Sequence, residues 1–206
     1  VEKKQYTKKM KDIVKTTTDL KLEGIDWIGT YGRDPCELKT MTEDAGATVA
    51  CHTFFLHEVV KGEGGWLDKA KASIEDAVLL GAPIVMIPTL THATMERGAF
   101  RRLWIDALKE VAPVAEDAGV ILTVENFPGA KSAFVTADDY LEAKAAVPGL
   151  KLTYDDGNAA SGEDPVESFK KCAEDVVHVH FKDWDIVDQP ADGYRLMLDG
   201  KYYKAA

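Results

Sequence analysis

Residues 176–182 read Val176-Val177-His178-Val179-His180-Phe181-Lys182. Successive side chains of a strand point to opposite faces. As a strand, this run puts Val177, Val179 and Phe181 on one face and His178, His180 and Lys182 on the other. Two earlier runs share its phase. In 120–125, Leu122 and Val124 oppose Ile121, Thr123 and Glu125. In 150–155, Leu150, Leu152 and Tyr154 oppose Lys151, Thr153 and Asp155. Three consecutive strands thus carry one apolar and one polar face, and each polar face ends in a carboxylate, an imidazole or an amine. Helices are expected to cover the apolar faces.

Working outward, further strand-like runs lie at 24–30, 48–55 and 84–88. Helix-sized segments alternate with them at 9–20, 35–45, 66–80, 97–118, 136–146 and 165–174. Asp164-Pro165 places a capping carboxylate before proline at the first helical position, and Thr136-Ala137-Asp138-Asp139 is a second capping pattern. Gly46, Gly81 and Gly119 follow helices where a left-handed cap is wanted. This alternation means βαβ units and a parallel sheet. An open doubly wound sheet usually carries a glycine-rich phosphate loop, and the chain has neither GxGxxG nor GxxxxGK[ST]. The expected fold class is α/β, a (β/α)8 TIM barrel. Such barrels typically need about 250 residues, so the 206 residues hold most of one, as a single domain over 1–206. Barrel active sites lie at the C-terminal mouth, where Glu125, Asp155 and His180 would converge. Those three types form a ligand set suited to a divalent cation.

Composition narrows the function classes. Hydrophobic residues make up 46% and charged residues 29%, as in ordinary globular chains. There are 25 basic and 35 acidic residues, a net charge of −10, which argues against nucleic acid as partner. Apolar runs such as Val120-Ile121-Leu122-Thr123-Val124 fall far short of the roughly 18–20 residues of a membrane span. Cys36, Cys51 and Cys172 are odd in number and widely spaced, so reduced thiols and a cytoplasmic location are expected. Val1-Glu2-Lys3-Lys4-Gln5 lacks the apolar core of a signal peptide and a starting Met, which reads as a processed chain or a fragment. Arg97, Arg101 and Arg102 read as a solvated helix face beside Glu96, and His57 and His92 as loop residues.

Val124-Glu125-Asn126, Leu152-Thr153-Tyr154-Asp155-Asp156-Gly157-Asn158 and His178-Val179-His180-Phe181-Lys182-Asp183 resemble three strand-end motifs of the xylose isomerase-like TIM-barrel superfamily, the sugar phosphate isomerase/epimerase group. The likeness covers nearly the whole chain in order and spacing. It implies that Glu125, Asp155 and His180 are metal ligands and that Glu125 is also a catalytic acid/base. It implies substrate-binding positions at His52, Asn158 and Lys182, with Trp184 as a wall of the sugar pocket. The family's fourth ligand, a Glu ending the eighth strand, has no match here. Leu198-Asp199-Gly200-Lys201-Tyr202-Tyr203 resembles the loop after strand seven. The chain therefore corresponds to strands two to seven, with the first and eighth missing. Ile87-Pro88-Thr89 lacks the His that endonuclease IV carries, and Gly200-Lys201 stands where that enzyme has another ligand, which argues against a trinuclear zinc site and DNA repair.

The resemblance implies a sugar isomerase or epimerase, dependent on a divalent metal (Mn, Mg, Co or Zn), that moves a proton through an enediolate. Two other readings stay open. One is a lyase of the same superfamily, inosose dehydratase-like or C-glycoside-cleaving. The other is a non-catalytic sugar-binding subunit. The expected partner is a small sugar or sugar derivative, without nucleic acid or membrane, with homo-oligomerisation open.

Overall fold

The computed structural model describes residues 12–206. Residues 1–5, and the start of the helix expected at 9–20, lie outside the described residues; the chain is helical over 12–20 (α1). Six parallel strands follow: β1 (Gly24–Ile28), β2 (Thr48–Thr53), β3 (Ile84–Pro88), β4 (Ile121–Glu125), β5 (Lys151–Asp155) and β6 (Val176–His180). They pair in chain order, β1-β2-β3-β4-β5-β6. The sheet curls until Asp26 on β1 touches His178 on β6. This is an incomplete (β/α)8 barrel, curled but not closed.

The crossovers carry α2 (Pro35–Asp44), α3 (His57–Lys61) and α4 (Trp66–Leu80), α5 (Arg97–Asp117), α6 (Ala137–Ala146), and α7 (Asp156–Ala160) with α8 (Pro165–Cys172). The caps read from sequence act as caps. The Asp164 carboxylate accepts from the amides of Val166 and Glu167, each at 2.9 Å. Thr136 and Asp139 form a reciprocal capping box. Gly81 ends α4 with φ of 73°, the left-handed turn that a Cβ disfavours. The short helices α3 and α7 were not legible as helices. Each is a single turn or little more, too short for an apolar period to show. Among the described residues no helix is long and apolar enough to cross a membrane.

The main core lies between sheet and helices, where Val85, Ile87, Leu122, Val124 and Leu152 meet Phe100, Trp104 and Leu108 of α5 and their neighbours. Truncating Phe100 or Trp104, both fully buried, to Ala would cost about 3–5 kcal/mol. A smaller cluster of Cys51, Ile84 and Met86 fills the barrel interior. On β6 the expectation of helix cover fails. Val177 is 36% exposed and Val179 39%, because no described helix packs over this edge strand.

Two further readings are corrected. The segment 198–203, expected as a loop, runs at Tyr202 into β9 (Tyr202–Ala205), which pairs with β7 (Trp184–Val187) and β8 (Arg195–Leu196) in a three-stranded antiparallel sheet of order β7-β9-β8. Trp184, Met197 and Tyr203 form its core. Its strands are too short to declare a period, and pairing with β9 is what makes them strands. Arg97 and Arg101 are not a solvated face. Both guanidinium groups bond the Asp139 carboxylate at the start of α6, and Arg101 Nε also donates to Glu142 at 2.6 Å. The charges of α5 thereby lock it to α6.

Candidate functional site

Glu125 is the last residue of β4, Asp155 the last of β5 and His180 the last of β6. Asp155 lies in register with His180, and Pro88 of β3 with Glu125. Glu125 pairs with Thr153, two residues before Asp155; a stagger of two keeps the phase, so the three side chains meet on the inner face. His180 Nδ1 is 2.7 Å from Glu125 Oε1. One ligand atom from each of Glu125, Asp155 and His180 lies within 4.8 Å of the others.

The floor of this cluster is stitched by polar side chains. Thr123 and Thr153 hydroxyls bond each other at 2.8 Å, and Thr123 donates to the Val85 carbonyl at 3.0 Å. Asn126 clips β4 to β5: its amide nitrogen donates to the Asp155 carbonyl, and its amide oxygen accepts from the Asp155 N–H, both at 2.8 Å. Asp155 Oδ1 accepts from the Asn158 N–H at 2.7 Å and so caps α7. The Asn126 amide thus fixes the Asp155 main chain, and the Asn158 N–H orients its carboxylate.

The electrostatics are those of a crowded anionic pocket. Burial pushes the Asp155 carboxyl up to about 6; the Asn158 amide opposes this, Glu125 adds to it, and Lys182 and His180 pull it back. Hydrogen bonds to Asp26 and Glu125 raise His180 to about 10, against the effect of burial. Burial works against ionising Asp26, but the hydrogen bonds from His178 and His180 win and hold it down at about 2. The bonds to Asp26 and Glu125 thus favour the charged form of His180 among three carboxylates.

Asp26 and His178 join this cluster without having been read from sequence as site residues. Asp26 Oδ2 is 2.8 Å from His178 Nε2 and 3.4 Å from His180 Nε2. The available signal was an acidic residue inside the apolar strand Gly24-Ile25-Asp26-Trp27-Ile28. β1 alternates regularly, with Ile25 and Trp27 buried on either side of Asp26, so the phase of Asp26 was readable; what the sequence did not show was the partner it meets.

A family model described as xylose isomerase-like TIM barrel matches residues 14–201. The chain belongs to the xylose isomerase-like TIM barrel family. Solved structures share the fold of this xylose isomerase-like chain at low identity. A xylose isomerase-like TIM barrel protein from Mycobacterium smegmatis, solved in complex with magnesium, is 20% identical with a TM-score of 0.68, over 94% of this chain and 70% of that one. D-psicose 3-epimerase from Clostridium cellulolyticum H10, solved with D-tagatose, is 13% identical with a TM-score of 0.71, over 84% and 67%. The probable 3-DHS dehydratase AsbF of petrobactin synthesis from Bacillus anthracis is 18% identical with a TM-score of 0.70, over 85% and 68%. No curated protein sequence matches the chain.

Within this xylose isomerase-like barrel the remaining sequence-derived positions separate. Asn158 is buried on α7 beside Asp155, and its side-chain oxygen has no hydrogen-bond partner among the described residues. Lys182 follows β6 at the rim, with its ammonium 4.2 Å from the centroid of the Trp184 ring. Trp184 is buried against Tyr203 at 5.8 Å between centroids, so it belongs to the core of the small sheet. Asp156 faces away from the cluster and accepts from the Lys182 N–H at 3.1 Å. His52 is not brought to the cluster. It pairs with Trp27, one position out of phase with Asp26 and Cys51, and so faces the helices. There it is fully buried with Nδ1 unpartnered among the described residues, and burial lowers it to about 4. His57 stacks on Phe55, and His92 Nδ1 accepts the amides of Thr94 and Met95.

Proposed function

We propose that this barrel is a divalent-metal-dependent sugar isomerase or epimerase that shifts a proton at the carbon beside a carbonyl. The convergence of Glu125, Asp155 and His180 within 4.8 Å, at the C-terminal ends of adjacent strands, carries this reading. The residues fit a divalent cation. Two carboxylates and one imidazole make a mixed oxygen–nitrogen donor set, and the excess negative charge that draws a proton onto His180 is what a cation would neutralise. Glu125, Asp155 and His180 would hold the metal, whether Mn, Mg, Co or Zn. Once bound, it supplies Lewis-acid stabilisation of negative charge developing on substrate oxygens.

The chain's own groups divide the remaining work. Glu125 takes the proton from carbon. For isomerisation it can return that proton from the same face to the neighbouring carbon; epimerisation needs a second acid on the opposite face, the role that the resemblance gives to the strand-eight Glu. Asp155, held by the Asn126 clip and the Asn158 amide, stays fixed while charge changes around it. The unpartnered Asn158 oxygen accepts from a substrate hydroxyl, and the Lys182 ammonium, steadied on Trp184, donates to a substrate oxygen. The magnesium complex and the epimerase among the similar structures support this assignment. The likeness to a dehydratase supports a second reading, in which the same proton removal is followed by loss of a β-leaving group.

The test is incubation of the metal-loaded protein in D2O with a panel of ketoses and inososes. The expected result is solvent deuterium at the carbon beside the carbonyl, without net loss of mass. Loss of water from the product would select the lyase. Sugar binding with neither exchange nor elimination across the panel would replace both with a binding role.

A further inference from the structure

Asp26 stands in the middle of β1, opposite the end of β6 across the curled sheet. Its Oδ2 meets His178 Nε2 at 2.8 Å and His180 Nε2 at 3.4 Å. The other ring nitrogen of His180, Nδ1, lies 2.7 Å from Glu125. An imidazole has two nitrogens, on different edges of the ring. Turning the His180 ring over would put carbon at both positions and forfeit both contacts. The His178 ring packs edge-on against His180, with centroids 5.2 Å apart and planes at 80°. Asp26 is therefore held by one histidine while it holds the other.

We propose that Asp26 is a positioning residue, which fixes the His180 ring with Nδ1 turned toward Glu125 and Asp155, and that His178 braces Asp26. A ligating imidazole gains in basicity and loses little freedom on binding when its far N–H is held by a carboxylate. The consequence for metal affinity rests on the reading of the cluster as a metal centre; the orientation of the ring does not. Asp26, His178 and His180 also lie close enough to hold a cation among themselves, and the experiment separates that case.

The experiment titrates Mn2+ and Zn2+ calorimetrically into wild type, Asp26→Asn, Asp26→Glu and His178→Gln, alongside thermal unfolding and nitrogen-15 NMR of the histidine rings. For Asp26→Asn the expected result is an affinity loss of about 10–100-fold with unchanged stoichiometry and a lower melting temperature, since the ion-paired hydrogen bonds to His178 and His180 are lost. Asp26→Glu should recover part of the loss, and His178→Gln should show a smaller loss. In the metal-free wild type, the His180 Nε2–H should give a protected low-field proton resonance that disappears in Asp26→Asn. Unchanged affinity and an unchanged resonance in Asp26→Asn would overturn the proposal. So would a second equivalent of Zn2+ in wild type that Asp26→Asn abolishes, since Asp26 would then be a ligand. A wild type that binds no metal would sink the metal-centre reading and leave the resonance to judge Asp26. If Asp26→Asn loses the fold, the wild-type spectrum decides, and absence of the protected proton overturns the proposal.

Discussion

His180 Nδ1 lies 2.7 Å from Glu125 Oε1, although the two residues are 55 positions apart in the chain. The contact joins the ends of β4 and β6 across β5, and Asp155 at the end of β5 completes the set. Glu125→Gln keeps the size of the side chain, removes its basicity and weakens it as a ligand. The variant should lose carbon–deuterium exchange altogether and bind metal more weakly, while its circular dichroism matches wild type. Retained exchange in D2O would show that another group moves the proton.

Gly157 lies in the Asp156-Gly157-Asn158 turn for a steric reason. A Cβ there would come within 2.4 Å of the Lys182 carbonyl oxygen and 2.9 Å of the Lys182 Cβ. Backbone cannot swing aside as a flexible side-chain tip can. Gly157→Ala should therefore destabilise the fold by about 1–3 kcal/mol, as overpacking does. It should also push α7 away from the end of β6, loosening the Asn158 amide from Asp155. Urea denaturation measures the first effect. A midpoint equal to wild type would mean that the loop yields freely.

His52 is the buried histidine of the helix-facing layer. Burial holds its pKa down from the ordinary 6.5 to about 4. Between these values the unfolded chain binds a proton that the folded chain refuses. Stability from this residue is complete above about pH 6.5 and is lost as pH falls toward 4, on the order of 3 kcal/mol in all. Replacing His52 by Gln removes the titration. The denaturation midpoint of His52→Gln should thus fall less steeply between pH 7 and 4.5 than that of wild type. Parallel slopes would show that His52 is protonated in the fold.

The same residues show what a sequence can and cannot disclose. The phase of Glu125, Asp155 and His180 was legible because each sits in a strand long enough to alternate, with apolar neighbours on the opposite face. Asp26 was not legible as a partner. Its contact with His178 spans 152 positions and depends on how far the sheet curls, which no local pattern encodes. His52 lies near the C-terminal end of its strand, as Asp155 does, but Ala50 is skipped in the β1–β2 pairing. That shift turns Cys51 inward and His52 outward. Likewise, Arg97 and Arg101 look solvated on a helix read alone. Only the packing of α5 on α6 supplies Asp139.

The charge state of the cluster sets how metal loading must depend on pH. His180 is drawn up to about 10 by its hydrogen bonds to Asp26 and Glu125, so near neutral pH the metal-free site holds a proton on this ring. A cation that takes His180 as a ligand has to displace that proton. Loading at pH 7–8 should therefore release about one proton, and apparent affinity should rise about tenfold per pH unit over this range. Burial raises Asp155 to about 6, so below that pH a second proton competes and the dependence should steepen. Calorimetric Mn2+ titrations in buffers of different ionisation enthalpy give the number of protons directly. Bound metal should also stabilise the fold by about 2.7 kcal/mol when free metal is a hundredfold above its dissociation constant, and excess EDTA should remove that gain. His180→Ala should release no proton on loading and bind metal weakly, with partial recovery at high metal. Loading of wild type without proton release would contradict the displacement of a proton from His180.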